Sequence, residues 1–233
     1  MPKNITKKKK IIKNTINLKQ IYTFNQAIDL LKKIPQAKFE ESIEIAINYN
    51  IYPKKQNFNI KGFSILPNKT GKKIKVAAFV LNDEIELAKK AKADFIIDDS
   101  IINDINKNII NFDILVTTPS SMLKIGKLSK ILGPKGLMPN IKYGTINENI
   151  YDTIKNIKTN YIKFKSDKSN IIHSIIGKTN CDAKSLKENI EMLIDDIKKQ
   201  KPKECKSMII KKIFVSSTMG PGLNINLNSL NIH

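Results

Sequence analysis

IKVAAFV (Ile74–Val80), DEIELAKKA (Asp83–Ala91), DFII (Asp94–Ile97) and DILVTT (Asp113–Thr118) follow one another through the middle of the chain and decide its fold. The first, third and fourth are short runs rich in β-branched residues, as buried strands require. The second opens on acidic residues that suit the positive end of a helix dipole. A weaker helix is expected over Ile101–Ile110. Pro119 then opens PSSMLKIGKLSKIL, since proline is tolerated in the first helical turn. A last helix is expected over roughly Asn149–Lys158. Strands that alternate with helices imply parallel pairing with both faces covered, a Rossmann-like three-layer α/β unit.

The flanks read differently. Upstream lie a basic N-terminal helix, an amphipathic helix over Phe24–Ile34, and strands over Ser42–Ile51 and Phe58–Leu66. Downstream, YIKFKSD and NIIHSIIGK are split by a turn at Asp167–Asn170 and read as a hairpin. A helix over Asp182–Gln200 carries Leu186, Ile190, Leu193, Ile194 and Ile197 on one face. Ser207–Thr218 is the final strand. The expected architecture is two-domain α/β. A mixed α+β domain is formed by both chain ends (1–67 and 160–233), and the Rossmann-like domain (68–159) is inserted into it. Two thin crossings would permit hinge motion.

The net charge is +20, and all 41 basic residues are lysine. Such an excess favours polyanions, nucleic acid before membrane. Lysine lacks arginine's bidentate fork, so phosphate contact should be salt-dependent, and sequence reading must come from other groups or from RNA shape. The terminal segments carry a net +15 against +5 for residues 68–159, which makes them the stronger candidate for the polyanion contact. No run of eighteen apolar residues predicts a membrane span, and MPKNITKKKKII lacks the features of a secretory signal. Cys181 and Cys205 read as ordinary thiols of a reducing compartment.

Several motifs admit two readings. In SSTMGPG (Ser216–Gly222), Thr218 could bond a ribose 2′-OH or a phosphate. Met219 could lie on a base or sugar, and Gly220 would permit close approach. The same loop could be a plain strand exit. In KFEESIE (Lys38–Glu44), alternation puts Phe39, Glu41 and Ile43 on one face and Glu40, Ser42 and Glu44 on the other. Phe39 is then either core or an RNA contact. Glu44 is either solvated or an acceptor for a base amino group or a 2′-OH. Lys3, Lys7 and Lys8 either track phosphates or belong to a solvated tail. GPKG at Gly133 fits neither the phosphate loop nor the dinucleotide fingerprint, and the turns after the strands read VLNDE and TTPSS. His173 stands without a Cys/His cluster, so no metal and no cofactor is expected. No catalytic constellation stands out.

The long Gly/Pro loop LGPKGLMPN (Leu132–Asn140) resembles the signature of the L-one family of large-subunit ribosomal proteins. AKFEESIEIAI, LPNKTGKKIKVAAF, NFDILVTTPSSM, SDKSNIIHSIIGK and SSTMGPG resemble further family motifs in the same order. The resemblance implies the two-domain fold and a cytoplasmic, ribosomal location without enzymatic activity. It implies large-subunit rRNA as partner, in a mobile stalk that helps deacylated tRNA leave the exit site. It also implies repression of the protein's own messenger RNA. Family RNA contacts fall on Lys38, Phe39, Ser42, Glu44, Thr218, Met219 and Gly220, with Asp167, Lys168 and His173 beside them. Lys135 and Lys142 would form a secondary surface. The chain departs from the family at YPKKQNFNIKG (Tyr52–Gly62), which lacks the usual Asp and Arg, and at LGPKG and NIK. Two rivals stay open: an RNA-binding translational repressor acting off the ribosome, and a nucleotide-using enzyme with a site at the carboxyl ends of the strands.

Overall fold

The computed structural model describes residues 11–12, 15–17, 20–34, 37–52, 59–80, 84–97, 112–201 and 207–230. The expected helix at 101–110 and the candidate lysines Lys3, Lys7 and Lys8 lie outside them. The chain divides into two compact units, Met1–Gly71 with Phe164–His233, and Lys72–Lys163.

The first unit is built on β1 (Ile21–Tyr22), β2 (Ser42–Tyr52), β8 (Ile171–Lys178), β9 (Ser207–Ser217) and β10 (Leu223–Ile225), ordered β1-β10-β9-β2-β8. All neighbours are antiparallel except β1 with β10. Alternation along β2 buries Ile43, Ile45, Ile47, Tyr49 and Ile51 on one face. Helices α1 (Phe24–Lys33) and α6 (Ala183–Lys199) supply the matching stripes: Phe24, Ala27, Ile28 and Leu31 from the first, and Leu186, Ile190, Leu193, Ile194 and Ile197 from the second. Among the described residues, such one-sided covering leaves the other sheet face open.

The second unit holds a parallel sheet ordered β5-β4-β6, from β4 (Val76–Phe79), β5 (Phe95–Ile97) and β6 (Ile114–Thr117). All four residues of β4 and of β6 are buried, as the β-branched runs demanded. Helix α2 (Ile85–Lys90) follows β4, and α5 (Ile150–Asn160) starts on its Asn149 cap. The helix expected from Pro119 is not continuous. It breaks into α3 (Pro119–Ile125), a 3₁₀ turn at Gly126–Leu128 and α4 (Ser129–Leu132). A mid-helix glycine costs about 1 kcal/mol against alanine, and a tight turn replaces the regular one there.

The expected hairpin over YIKFKSD and NIIHSIIGK is also corrected. The turn closes, since the Asp167 amide donates to the Ile171 carbonyl at 3.0 Å. Its arms then part. β7 (Tyr161–Lys165) pairs with β3 (Lys61–Ile65), whereas β8 joins β2, and a single Ser166–Ile172 bridge links the arms. Ser166 explains the departure: its Oγ accepts the Ile60 amide at 3.0 Å, and its own amide donates to the Ile60 carbonyl at 2.9 Å.

One acid-sensitive contact sits in the second unit. Burial works against the Asp94 carboxylate. The Val76 amide (2.8 Å), the Lys158 ammonium (3.0 Å) and the Lys75 charge nevertheless hold it below the usual carboxylate range. Its stabilising contribution is therefore present above the ordinary aspartate value of about 4 and lost as pH falls through the lower folded value. Asp94→Asn is expected to flatten the acid limb of a plot of urea midpoint against pH. An unchanged limb would reject this role for the contact.

Candidate nucleic-acid interface

Two segments distant in sequence meet at one end of the five-stranded sheet. β2 begins at Ser42 and β9 ends at Ser217, so the pairing of Ile43 with Ser217 brings the preceding and following loops side by side. Ser42 and Thr218 then bond reciprocally. The Thr218 amide donates to the Ser42 carbonyl at 3.0 Å, and the Ser42 amide donates to the Thr218 hydroxyl at 3.0 Å. That hydroxyl also faces the Ser42 carbonyl at 3.3 Å. Thr218 is therefore a seal between two loops, whatever its hydroxyl does toward a ligand.

Beyond this seal the apolar side chains point outward. Phe39 is 55% exposed and Met219 58%. The core reading of Phe39 is thus overturned. Strand alternation does not extend back to it, because β2 starts only at Ser42; from Glu41 onward the alternation holds, with Glu41 and Ile43 buried. Lys38 and Glu40 are exposed as well. Glu40 pairs with Lys178 and accepts from the Asn180 amide group at 2.8 Å.

Gly220 closes the second loop, its amide donating to the Ser217 carbonyl at 3.0 Å. A Cβ there would stand 2.4 Å from Ser217 Oγ. The close approach that requires glycine is made within the loop itself.

The open sheet face carries the next candidates in register. One row reads Ile175, Glu44, Ser216. The next reads His173, Ala46, Phe214, Asn224, and the third Ile171, Asn48, Lys212. His173 and Lys212 are exposed; Glu44, Phe214, Ile175 and Ser216 are half-buried. The face therefore offers apolar area interleaved with hydroxyl, imidazole, carboxylate and ammonium groups.

Asp167 and Lys168 are not brought to the Phe39–Thr218 cluster. Their turn abuts the Asn48–Tyr49 part of β2, where the Tyr49 amide donates to the Asn170 carbonyl at 3.1 Å. Six residues of strand separate that point from Ser42, roughly 20 Å. Asp167 Oδ1 takes the amides of Ser169 (2.9 Å) and Ile171 (2.7 Å), a turn-forming role that leaves Lys168 exposed at the tip.

In the second unit the Gly/Pro loop has a defined shape. The Asn140 amide donates to Thr145 Oγ1 at 2.8 Å, and the Asn140 side chain accepts the Lys142 amide at 2.8 Å. Gly144 turns the chain at φ +64°, which a side chain would resist. Leu132 is buried in this unit's core, and Leu137 and Met138 pack against it, so the apolar residues of the loop are anchors. Lys135 and Lys142 remain exposed. No group of three metal-ligating side chains occurs among the described residues, and none of their helices is long and apolar enough to cross a membrane.

Glu41 was missed as a contributor. It is 1% exposed and accepts the backbone amides of Ala37 (2.7 Å) and Met219 (3.2 Å). Its position on the Ile43 face was legible; a buried carboxylate serving two loops was not.

The chain is 41% identical over 226 residues to the large ribosomal subunit protein uL1 of Photobacterium profundum, covering 97% of each. It is 40% identical to that of Alkalilimnicola ehrlichii, covering 97% of this chain and 98% of the relative. The model of the Ribosomal protein L1p/L10e family matches residues 31–221, a span that runs from the end of α1 past Gly220. The chain belongs to the ribosomal protein L1p/L10e family.

Proposed function

We propose that this protein docks on folded large-subunit rRNA through the end and open face of its five-stranded sheet, as part of a mobile stalk. As a family member it is a non-enzymatic structural protein of the large ribosomal subunit, which sets aside the nucleotide-using enzyme. The observation that carries the docking reading is the Ser42–Thr218 seal, with Phe39 and Met219 exposed on either side of it. Exposed apolar groups held on rigid loops suit stacking and ribose contact, which is how folded RNA is read. Lysine charge supplies attraction without sequence preference.

The residues assigned to contact are Lys38, Phe39, Ser42, Glu44, Thr218, Met219 and Gly220, with His173 on the same sheet. Asp167 and Lys168 would form a separate contact, and Lys135 and Lys142 a secondary one on the inserted unit. The reading includes a Rossmann-like insertion, supported by the parallel order β5-β4-β6 inside residues 72–163. It extends to assisting release of deacylated tRNA from the exit site and to repression of the protein's own messenger, both as family functions. Action as a repressor off the ribosome is the alternative.

The test is a titration against the stalk segment of large-subunit rRNA at two salt concentrations, with an unrelated RNA helix alongside. Preference for the stalk RNA that survives high salt, and is lost in Thr218→Ala/Met219→Ala, is expected. Equal and salt-labile binding to both RNAs would leave the +20 charge as the whole explanation.

A further inference from the structure

We infer that Glu41 is a positioning residue for RNA binding, a buried carboxyl group that sets the spacing of the two contact loops without touching RNA. This rests on the docking reading above. A carboxylate removed from water is costly unless it is richly bonded. Glu41 is 1% exposed and accepts backbone amides of different loops: Ala37 at 2.7 Å through Oε1, and Met219 at 3.2 Å through Oε2. Its carbonyl receives a third segment, the amide of Thr179 at 3.1 Å and the Thr179 hydroxyl at 3.3 Å. Ala37 lies two residues before exposed Phe39, and Met219 is itself exposed. One side chain thus ties together the backbones that present both apolar contacts. Amides bonded to an ionised carboxylate are held more firmly than by a neutral acceptor.

Charge and position make opposite predictions. Neutralising an acid in an RNA-binding protein tightens binding if only the field matters. Loosening the two loops weakens it.

Glu41→Gln is the variant, measured against stalk rRNA and the unrelated helix, with thermal unfolding alongside. The expected result is about tenfold weaker binding to stalk RNA, the size of one lost charge-assisted hydrogen bond. The salt slope and the affinity for the unrelated helix should stay as they are. In amide NMR spectra the shifts should concentrate at Ala37–Ser42 and Ser217–Gly220. Unchanged or tighter stalk binding, or a parallel loss for both RNAs, overturns the inference. Should the variant not fold, hydrogen exchange in the unmodified protein decides: the Ala37 and Met219 amides are expected to be protected, and free exchange at both overturns the inference. Absence of stalk preference in the unmodified protein would instead sink the docking reading.

Discussion

Asn189→Ala is expected to lower the stability of the fold by about 2–4 kcal/mol, the largest effect of any single polar substitution argued for this chain. Asn189 is 1% exposed, yet it sits in the apolar stripe of α6, three residues after Leu186 and next to Ile190. Its side chain satisfies backbone groups from two other segments. Nδ2 donates to the Ile176 carbonyl at 2.8 Å and to the Asn68 carbonyl at 3.3 Å, and Oδ1 accepts the Asn68 amide at 2.9 Å. The Asn68 side chain answers by donating to the Ser185 carbonyl and to Glu188 Oε2. Alanine would strand these groups and open a small void, and each unmet buried group costs about 1–3 kcal/mol. In a chain of this size that corresponds to a fall in Tm of roughly 5–15 °C. Lys184→Gln, exposed on the same helix and outside this network, is the control expected to change little. Urea unfolding of both variants checks this, and a cost for Asn189→Ala no greater than that of the control would show that the network is dispensable.

Asn189 also marks where sequence reading stops. The periodicity of α6 picked out its five buried apolar residues correctly, because a stripe at helical spacing has one use. A polar residue inside that stripe gives no sign of whether it is an error in the pattern or a bracket for a distant backbone; its partners lie 121 and 13 residues away. The same limit explains Glu41. By contrast, the strand positions were legible wherever burial was complete, as at β4 and β6, or strictly alternating, as at β2. The short parallel pair β1–β10 left no pattern to read, since two or three residues cannot show a period. The hairpin at Asp167 failed for a related reason. Turn chemistry was read correctly, but which strand each arm joins depends on Ser166 and Ile60, 106 residues apart. At the proposed interface, residue types suggested Phe39, Thr218 and Met219, whereas their mutual placement depended on a register spanning β2 and β9.

Phe39→Ala is expected to separate recognition from stability. Because Phe39 is 55% exposed and precedes β2, truncation should change unfolding free energy by no more than about 0.5 kcal/mol, the range for surface positions. Its effect on binding should be larger. Stacking of one base on one aromatic ring contributes about 1–3 kcal/mol, which corresponds to a loss in affinity for stalk rRNA of roughly 5- to 150-fold. The salt dependence should not move, since no phosphate contact is removed. Lys38→Ala next door predicts the reverse: weaker binding to every RNA, and a shallower salt slope. Thr218→Ala stands between the two, because it loses the hydroxyl half of the Ser42 seal and keeps the backbone half; it should cost about 1 kcal/mol of stability as well as affinity. Equilibrium binding across a salt series, with urea unfolding on the same preparations, distinguishes the three. If Phe39→Ala were instead to lose stability and keep its affinity, the exposed ring would be packing against its own protein in solution, and the apolar contact would have to pass to Met219 and the open face around Phe214.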